Sequence, residues 1–135
     1  MKWLLDTNTL LEFMKPRPNE AVVDWLDTNE SDCALSTISI GELILGVEVM
    51  PESKRRRRLE QALRYLRQDY RGKVLDFSEG VAAEWGRLVA GARKQGRNLS
   101  VLDSQIEATA IHYGLMVVTR NESDFLHPVL NPWNQ

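Results

Sequence analysis

Short runs of hydrophobic residues along this chain alternate with longer segments in which hydrophobic positions recur at helical spacing. The short runs at residues 3–5, 33–35, 74–77 and 115–119 predict four strands, and residues 129–130 predict a short fifth strand. The longer segments predict helices at about residues 8–14, 40–50, 53–70 and 102–113, with one more beginning at Asn19 and another at Ser78. Short apolar strands that alternate with helices are typical of a parallel sheet covered on both faces. The pattern therefore predicts an α/β fold, in which a short central parallel sheet of about four to five strands is flanked by helices.

The size and composition suit an ordinary globular domain. The length of 135 residues predicts one domain that spans residues 1–135. Cys33 is the only cysteine, which excludes an intramolecular disulfide and a thiolate zinc site and fits a reducing cytoplasm. Asp6 comes too early for a signal peptide, and no apolar run approaches transmembrane length, so no membrane association is predicted.

The positive charges are unevenly distributed, although the net charge of −2 argues against general binding to polyanions. Residues 54–58 form an unbroken basic run, and three further arginines lie within or directly after the same predicted helix. Such a segment is either a solvated helix face or a patch that contacts phosphates. The candidate phosphate-contacting residues are Arg55, Arg56, Arg57, Arg58, Arg64, Arg67 and Arg71.

Four acidic residues, scattered along nearly the whole chain, stand at predicted helix starts: Asp6, Glu42, Asp103 and Asp124. Each has a simple structural role available. Asp6 can cap a helix, and the other three lie three residues after a serine or asparagine, which is the spacing of a capping box. Helix capping is therefore the alternative to a shared chemical role.

The positions of these acids favour a common site. Asp6 ends the first predicted strand and Asp124 follows the fourth, and ligand sites in parallel sheets lie beyond the carboxyl ends of the strands. Helices that begin at the same edge can bring Glu42 and Asp103 there. Two carboxylates about 5 Å apart repel each other by roughly 3 kcal/mol at an effective dielectric near 20, so a cluster of four requires cations or raised pKa values. Oxygen ligands suit Mg²⁺ or Mn²⁺, which hydrolyse phosphodiesters.

Other kinds of site are less well supported. Asn8 stands where phosphatases with an Asp-x-Asp nucleophile loop have their second aspartate, and the chain has no P-loop, Gly-x-Gly-x-x-Gly or Gly-x-Ser-x-Gly motif. His112 and His127 share no metal-ligand spacing and are predicted on a helix surface and in a loop. Asp76 is predicted in a turn or cap. Glu107, one helical turn after the third acid, is predicted to be exposed, with a peripheral role beside the site as the alternative.

The four acids lie in four sequence blocks that occur in a fixed order. The blocks are Leu4-Leu5-Asp6-Thr7-Asn8, Ser36-x-x-Ser39-Ile40-Gly41-Glu42-Leu43-x-x-Gly46, Asp103-x-x-Ile106-x-Ala108-Thr109-Ala110 and Val118-Thr119-Arg120-Asn121-x-x-Asp124-Phe125. In these blocks, and in a closing Asn131-Pro132-Trp133, the chain resembles PIN domains, and specifically the VapC group of toxin ribonucleases. The resemblance covers essentially the whole chain.

The chain departs from the family pattern in three places. Val101 and Leu102 stand where a proline often precedes the third block's aspartate, and Glu107 interrupts the usual Ile-Ala-Ala-Thr-Ala. The tail between Phe125 and Asn131 is short. None of these departures removes a carboxylate.

The resemblance implies a three-layer PIN-like fold and a Mg²⁺- or Mn²⁺-dependent endoribonuclease. Such an enzyme hydrolyses phosphodiester bonds in RNA, such as tRNA or another structured RNA, with a metal-activated water. By position, Asp6 and Asp103 would be the direct metal ligands, and Glu42 and Asp124 would act through waters. Thr7, Asn8, Thr119 and Asn121 would orient ligands, water or phosphate by hydrogen bonds. The alternatives are a PIN-like module that binds RNA or protein without cutting, and a metal-dependent phosphatase or deoxyribonuclease.

The same resemblance implies partners: a cognate antitoxin of a type II toxin–antitoxin module, the RNA substrate, and a second copy of the chain in a homodimer. The helix at residues 40–50 has almost no polar face, which predicts either a protein–protein contact or complete burial in the core. Ser36, Thr37 and Ser39 are all possible N-caps of this helix.

Overall fold

A parallel sheet of four short strands forms the centre of the protein. The structure is a computed structural model that describes residues 1–134. The strands are β1 (Trp3–Leu5), β2 (Cys33–Ser36), β3 (Val74–Leu75) and β4 (Met116–Val118), in the spatial order β3-β2-β1-β4. Leu4 is paired with Ala34 on one side and with Val117 on the other. Because all pairings are parallel, the carboxyl ends of the strands meet at one edge.

In the described part of the chain, six α-helices connect and cover the strands. They are α1 (Thr7–Phe13), α2 (Glu20–Asn29), α3 (Thr37–Glu48), α4 (Lys54–Asp69), α5 (Glu79–Lys94) and α6 (Val101–Tyr113). Short 3₁₀ turns lie at Glu30–Asp32, Glu122–Asp124 and Pro132–Asn134. Within residues 1–134, no helix is long and apolar enough to span a membrane.

Alternate residues of each strand face two separate hydrophobic cores. Leu5 packs with residues of α1, α3 and α4, whereas its neighbour Leu4 packs with Ile106 and Ala110 of α6. Both leucines are completely buried, which explains why the strand sequence is apolar without alternation. Helix α5 packs on α6 through Val81. These layers confirm the predicted α/β fold with a central parallel sheet flanked by helices.

Three predicted boundaries are wrong. Helix α3 begins at Thr37 rather than near residue 40, because the Ser36 side chain accepts a hydrogen bond from the Ser39 amide and caps the helix there. Strand β3 ends at Leu75, two residues earlier than predicted. The predicted strand at residues 129–130 is only an isolated bridge between Leu130 and Val118.

Candidate active site

Asp6 lies where β1 ends and α1 begins, and its carboxylate is almost fully enclosed. The residue is only 4% exposed. One carboxylate oxygen, Oδ1, accepts a hydrogen bond from the Thr7 amide (2.8 Å). The other, Oδ2, accepts from Thr119 Oγ1 (2.8 Å) and from Asn8 Nδ2 (3.1 Å). The predicted N-cap role is therefore real, and it also fixes this carboxylate at the carboxyl edge of the sheet.

Glu42 projects from α3 and is joined to the same place through Thr7. Thr7 Oγ1 lies 2.7 Å from Glu42 Oε1 and 3.0 Å from Ser39 Oγ. The hydroxyl has one proton, which goes to the carboxylate as the stronger acceptor, and the Ser39 hydroxyl can donate in return. Thr7 thus contacts Asp6 with its amide and Glu42 with its side chain. Ser39, which the sequence predicts only as a cap, also belongs to this hydrogen-bond network; the Ser39-x-x-Glu42 spacing is its signal in the sequence.

The electrostatics connect the two remaining acids to this pair. Burial raises the pKa of Asp6 from 3.8 to about 6, and the charges of Asp103 and Glu42 add to this increase, while hydrogen bonds from Thr119 and Thr7 oppose it. Burial also raises the pKa of Asp103, and the charge of Asp124 adds to it, against a hydrogen bond with Ser100. Asp6 therefore interacts with Glu42 and Asp103, and Asp103 with Asp124.

The cluster is a chain of neighbouring pairs rather than a tight group. Among residues 1–134, no three or more His, Cys, Asp or Glu side chains are close enough to hold one metal ion together. Asp6 is buried, Glu42 and Asp103 are partly exposed, and Asp124 is exposed. The four acids thus form a gradient from the enclosed end of β1 to the surface, and all contribute oxygen atoms only.

Three of the four predicted supporting residues use their side chains in this network. Besides Thr7, Asn8 Nδ2 donates to Thr119 Oγ1 (2.9 Å), and Asn8 Oδ1 accepts from the Arg120 amide (3.2 Å). Asn121 contributes its backbone amide, which donates to Thr119 Oγ1 (3.1 Å). The start of α1 and the segment after β4 are therefore fixed to each other around Asp6.

The predicted exposure of Glu107 is wrong. This residue is 2% exposed, and its carboxylate accepts hydrogen bonds from the backbone amides of Leu126 (2.9 Å) and His127 (2.8 Å). His127 Nδ1 lies 2.7 Å from the same carboxylate. Glu107 thereby fixes the segment that follows Asp124 onto α6, a peripheral role. His112 and His127 lie on a helix surface and in a loop, as predicted, and Asp76 is exposed in a turn.

The candidate phosphate-contacting arginines of α4 fall into different environments. Arg56 contacts three glutamates and the backbone carbonyl of Met50, just after α3. Arg64, Arg67 and Arg71 line a single cleft of about 520 Å³ beside α3. The sequence therefore predicts the basic segment, but it does not distinguish the arginine that is paired with acids from the arginines that line the cleft.

Comparison with known proteins identifies the family. The sequence-family model of the PIN domain matches residues 3–127 of this chain. The chain is 38% identical to Toxin FitB of Neisseria gonorrhoeae, over 97% of this chain and 98% of that protein. It is 34% identical to VapC ribonuclease Y4jK of Sinorhizobium fredii, over 96% of both.

Two solved structures have the same fold. The structure of FitAcB from Neisseria gonorrhoeae superposes with a TM-score of 0.91 at 36% identity, covering 98% of this chain and 99% of that chain. A toxin–antitoxin complex from Klebsiella pneumoniae gives a TM-score of 0.73 at 25% identity, covering 97% of this chain and 98% of that one. The chain therefore belongs to the PIN domain family, in the group that contains the FitB and VapC toxins.

Proposed function

We propose that this protein is a metal-dependent endoribonuclease and the toxin of a type II toxin–antitoxin module, acting in the cytoplasm as a single PIN-like domain. The observation that carries the proposal is the buried Asp6 carboxylate, which neighbours two further acids without a compensating cation. In the described part of the chain, none of the four acids forms an ion pair with a Lys, Arg or His. Clustered carboxylates of this kind are costly unless they serve to bind a cation.

The donor set fits Mg²⁺ or Mn²⁺. Carboxylate oxygens are the ligands that these hard cations prefer, and the cluster has no thiolate or imidazole that would favour zinc. Asp6 and Asp103 are the proposed direct ligands, and Glu42 and Asp124 are proposed to act through waters, which agrees with the pairwise arrangement of the acids. Bound there, the ion supplies a Lewis acid that lowers the pKa of water and offsets charge developing on the phosphate.

The chain's own residues prepare this chemistry. Thr119, Asn8 and the Thr7 amide hold Asp6 in one orientation, so little reorganisation is needed when it binds a cation. The Thr7 hydroxyl does the same for Glu42. With a pKa of about 6, Asp6 is mainly ionised at neutral pH even without a cation. Asp124 is exposed and accessible to solvent and RNA.

RNA as the substrate is supported by the named activity of a relative, VapC ribonuclease Y4jK. We propose a structured RNA such as tRNA. A cognate antitoxin as the partner is supported by the similarity to Toxin FitB and to the toxin–antitoxin complex from Klebsiella pneumoniae. A homodimer is also proposed, since Leu45 of α3 and Val49, the C-cap of α3, are 62% and 73% exposed although the opposite side of this helix packs in the core.

The test is cleavage of total RNA by the purified protein, with Asp103→Asn as the inactive variant. Asp76→Asn is the matched control, because Asp76 also follows a strand at this sheet edge but is exposed and outside the cluster. We expect cleavage by wild type and Asp76→Asn with Mg²⁺, and none by Asp103→Asn or in excess chelator. Equal cleavage by Asp103→Asn would contradict the proposal.

The same preparation distinguishes the alternatives. RNA binding without cleavage in Mg²⁺ or Mn²⁺ would favour a non-cleaving binding module. Hydrolysis of DNA or of a phosphomonoester in preference to RNA would favour a deoxyribonuclease or a phosphatase.

A further inference from the structure

The arginines of α4 differ in what surrounds them. Arg56 has a partner at each guanidinium nitrogen: the nitrogens lie 2.9 Å from Glu60, 3.3 Å from Glu48 and 3.6 Å from Glu52, and one donates to the Met50 carbonyl (2.8 Å). Arg56 thereby fastens the end of α3 to the start of α4. A guanidinium group held at all three of its nitrogens in this way has a structural role.

Within the described residues, the arginines in the second half of α4 and directly after it have no such partners. Arg64 and Arg67 lie three residues apart on α4, so they share one helix face, and Arg71, just beyond the end of the helix, lines the same cleft. Among residues 1–134 none of the three guanidinium groups makes a hydrogen bond or an ion pair. Like charges at this spacing repel each other and disfavour the helix, so the arrangement is not explained by stability.

The cleft lies on the other side of α3 from the acid cluster. Successive residues of a helix are rotated by about 100°, so Thr37 and Ile40 lie on one side of α3 and Ser39 and Glu42 on the opposite side. Thr37 and Ile40 line the arginine cleft, whereas Ser39 and Glu42 are joined to the acids through Thr7. The first turns of α3 therefore separate the two regions by about one helix diameter, roughly 10–12 Å.

We propose that the cleft formed by Arg64, Arg67 and Arg71 binds backbone phosphates of the RNA strand, close to the phosphodiester that is cut. This inference rests on the proposed function and adds a substrate-binding site to it. Guanidinium groups match phosphate oxygens in charge and in geometry, and the Thr37 hydroxyl adds a donor at the cleft wall. A strand that passes over the start of α3 reaches both the cleft and the acids. The cleft also offsets the repulsion between RNA and the acid cluster.

The experiment measures the salt dependence of binding to a short single-stranded RNA of mixed sequence, in chelator so that no cleavage occurs. The test variant is Arg64→Gln/Arg67→Gln. The matched control is Arg55→Gln/Arg58→Gln, which removes the same charge from the opposite, exposed side of α4. For single strands each phosphate contact contributes roughly 0.7 to the slope of log K against log salt. We expect the slope to fall by roughly 1.4 in the test variant and to stay unchanged in the control.

Equal slopes for the two double variants would overturn the proposal. So would an unchanged slope in Arg64→Gln/Arg67→Gln together with loss of antitoxin binding, because the cleft would then serve a protein. If the double variant does not fold, Arg71→Gln alone, beyond the end of α4, should lower the slope by roughly 0.7. The result is independent of the proposed activity: if the slope falls in the test variant but the wild-type protein does not cut RNA, the cleft is retained and the nuclease is rejected.

Discussion

Replacing Asp6 with asparagine should stabilise the metal-free protein at about pH 8 and not at about pH 4. The pKa of Asp6 is raised from 3.8 to about 6, so the folded protein binds this proton more tightly than the unfolded chain does. Folding stability therefore falls as the pH rises from about 4 to 6, and the loss is complete above pH 6. Two pKa units correspond to about 3 kcal/mol of folding free energy.

The gain from the substitution is smaller than this, because asparagine cannot accept every hydrogen bond that the carboxylate accepts. The NH₂ group of the new asparagine takes the place of one carboxylate oxygen, so it faces another donor, either Asn8 Nδ2 or the Thr7 amide. The hydrogen bond lost in this way costs about 1 kcal/mol. We therefore expect a net stabilisation of about 2 kcal/mol at pH 8 and a destabilisation of about 1 kcal/mol at pH 4.

The assay is urea denaturation in chelator at both pH values, followed by circular dichroism. Asp76→Asn is the control, and as an exposed substitution it should change stability by less than about 0.5 kcal/mol at either pH. An Asp6→Asn protein that is destabilised equally at both pH values would refute the reasoning, since Asp6 would then be an ordinary cap with an unperturbed carboxylate.

Thr7→Val removes the hydroxyl that contacts Glu42 and should lower the rate of RNA cleavage by roughly 10- to 100-fold while the far-UV circular dichroism stays unchanged; full activity would show that this hydrogen bond is dispensable. Glu107→Ala leaves two backbone amides that bond to a buried carboxylate without their acceptor, and it should cost about 2–4 kcal/mol of unfolding free energy. A loss below about 0.5 kcal/mol, measured by urea denaturation, would contradict this role of Glu107. Leu45→Glu/Val49→Glu should leave the protein folded but abolish the homodimer or the antitoxin complex in light scattering, and an unchanged mass for both would exclude this face as an interface.

Local sequence patterns were sufficient for most of the fold and for the acids. The strands are apolar because both sheet faces are covered, so a run such as Trp3–Leu5 is informative by itself. The positions of Asp6 at a strand end and of Asp103 in the first turn of a helix could be predicted because strand ends and helix caps are local features. Ser100 does cap α6, by accepting a hydrogen bond from the Asp103 amide.

The errors concern contacts between residues that are distant in the sequence. Ser36, Thr37 and Ser39 were equally good caps for α3; Ser36 is the cap, whereas the Ser39 hydroxyl contacts Thr7, which lies 32 residues away. Glu107 is buried because two amides of the tail, about 20 residues further along, need an acceptor. Likewise, the arginine run gives no indication that Glu48 neutralises one of its members.

Our main proposal is that RNA is cut by the carboxylate cluster around Asp6. Its most direct test is inducible expression of wild type and Asp6→Asn in bacteria without the antitoxin, with sequencing of RNA 5′ ends before growth stops. We expect new RNA ends at defined sites with the wild-type protein, and none with Asp6→Asn present at the same level. Identical RNA ends with both proteins, or growth arrest by wild type without any new RNA end, would contradict it.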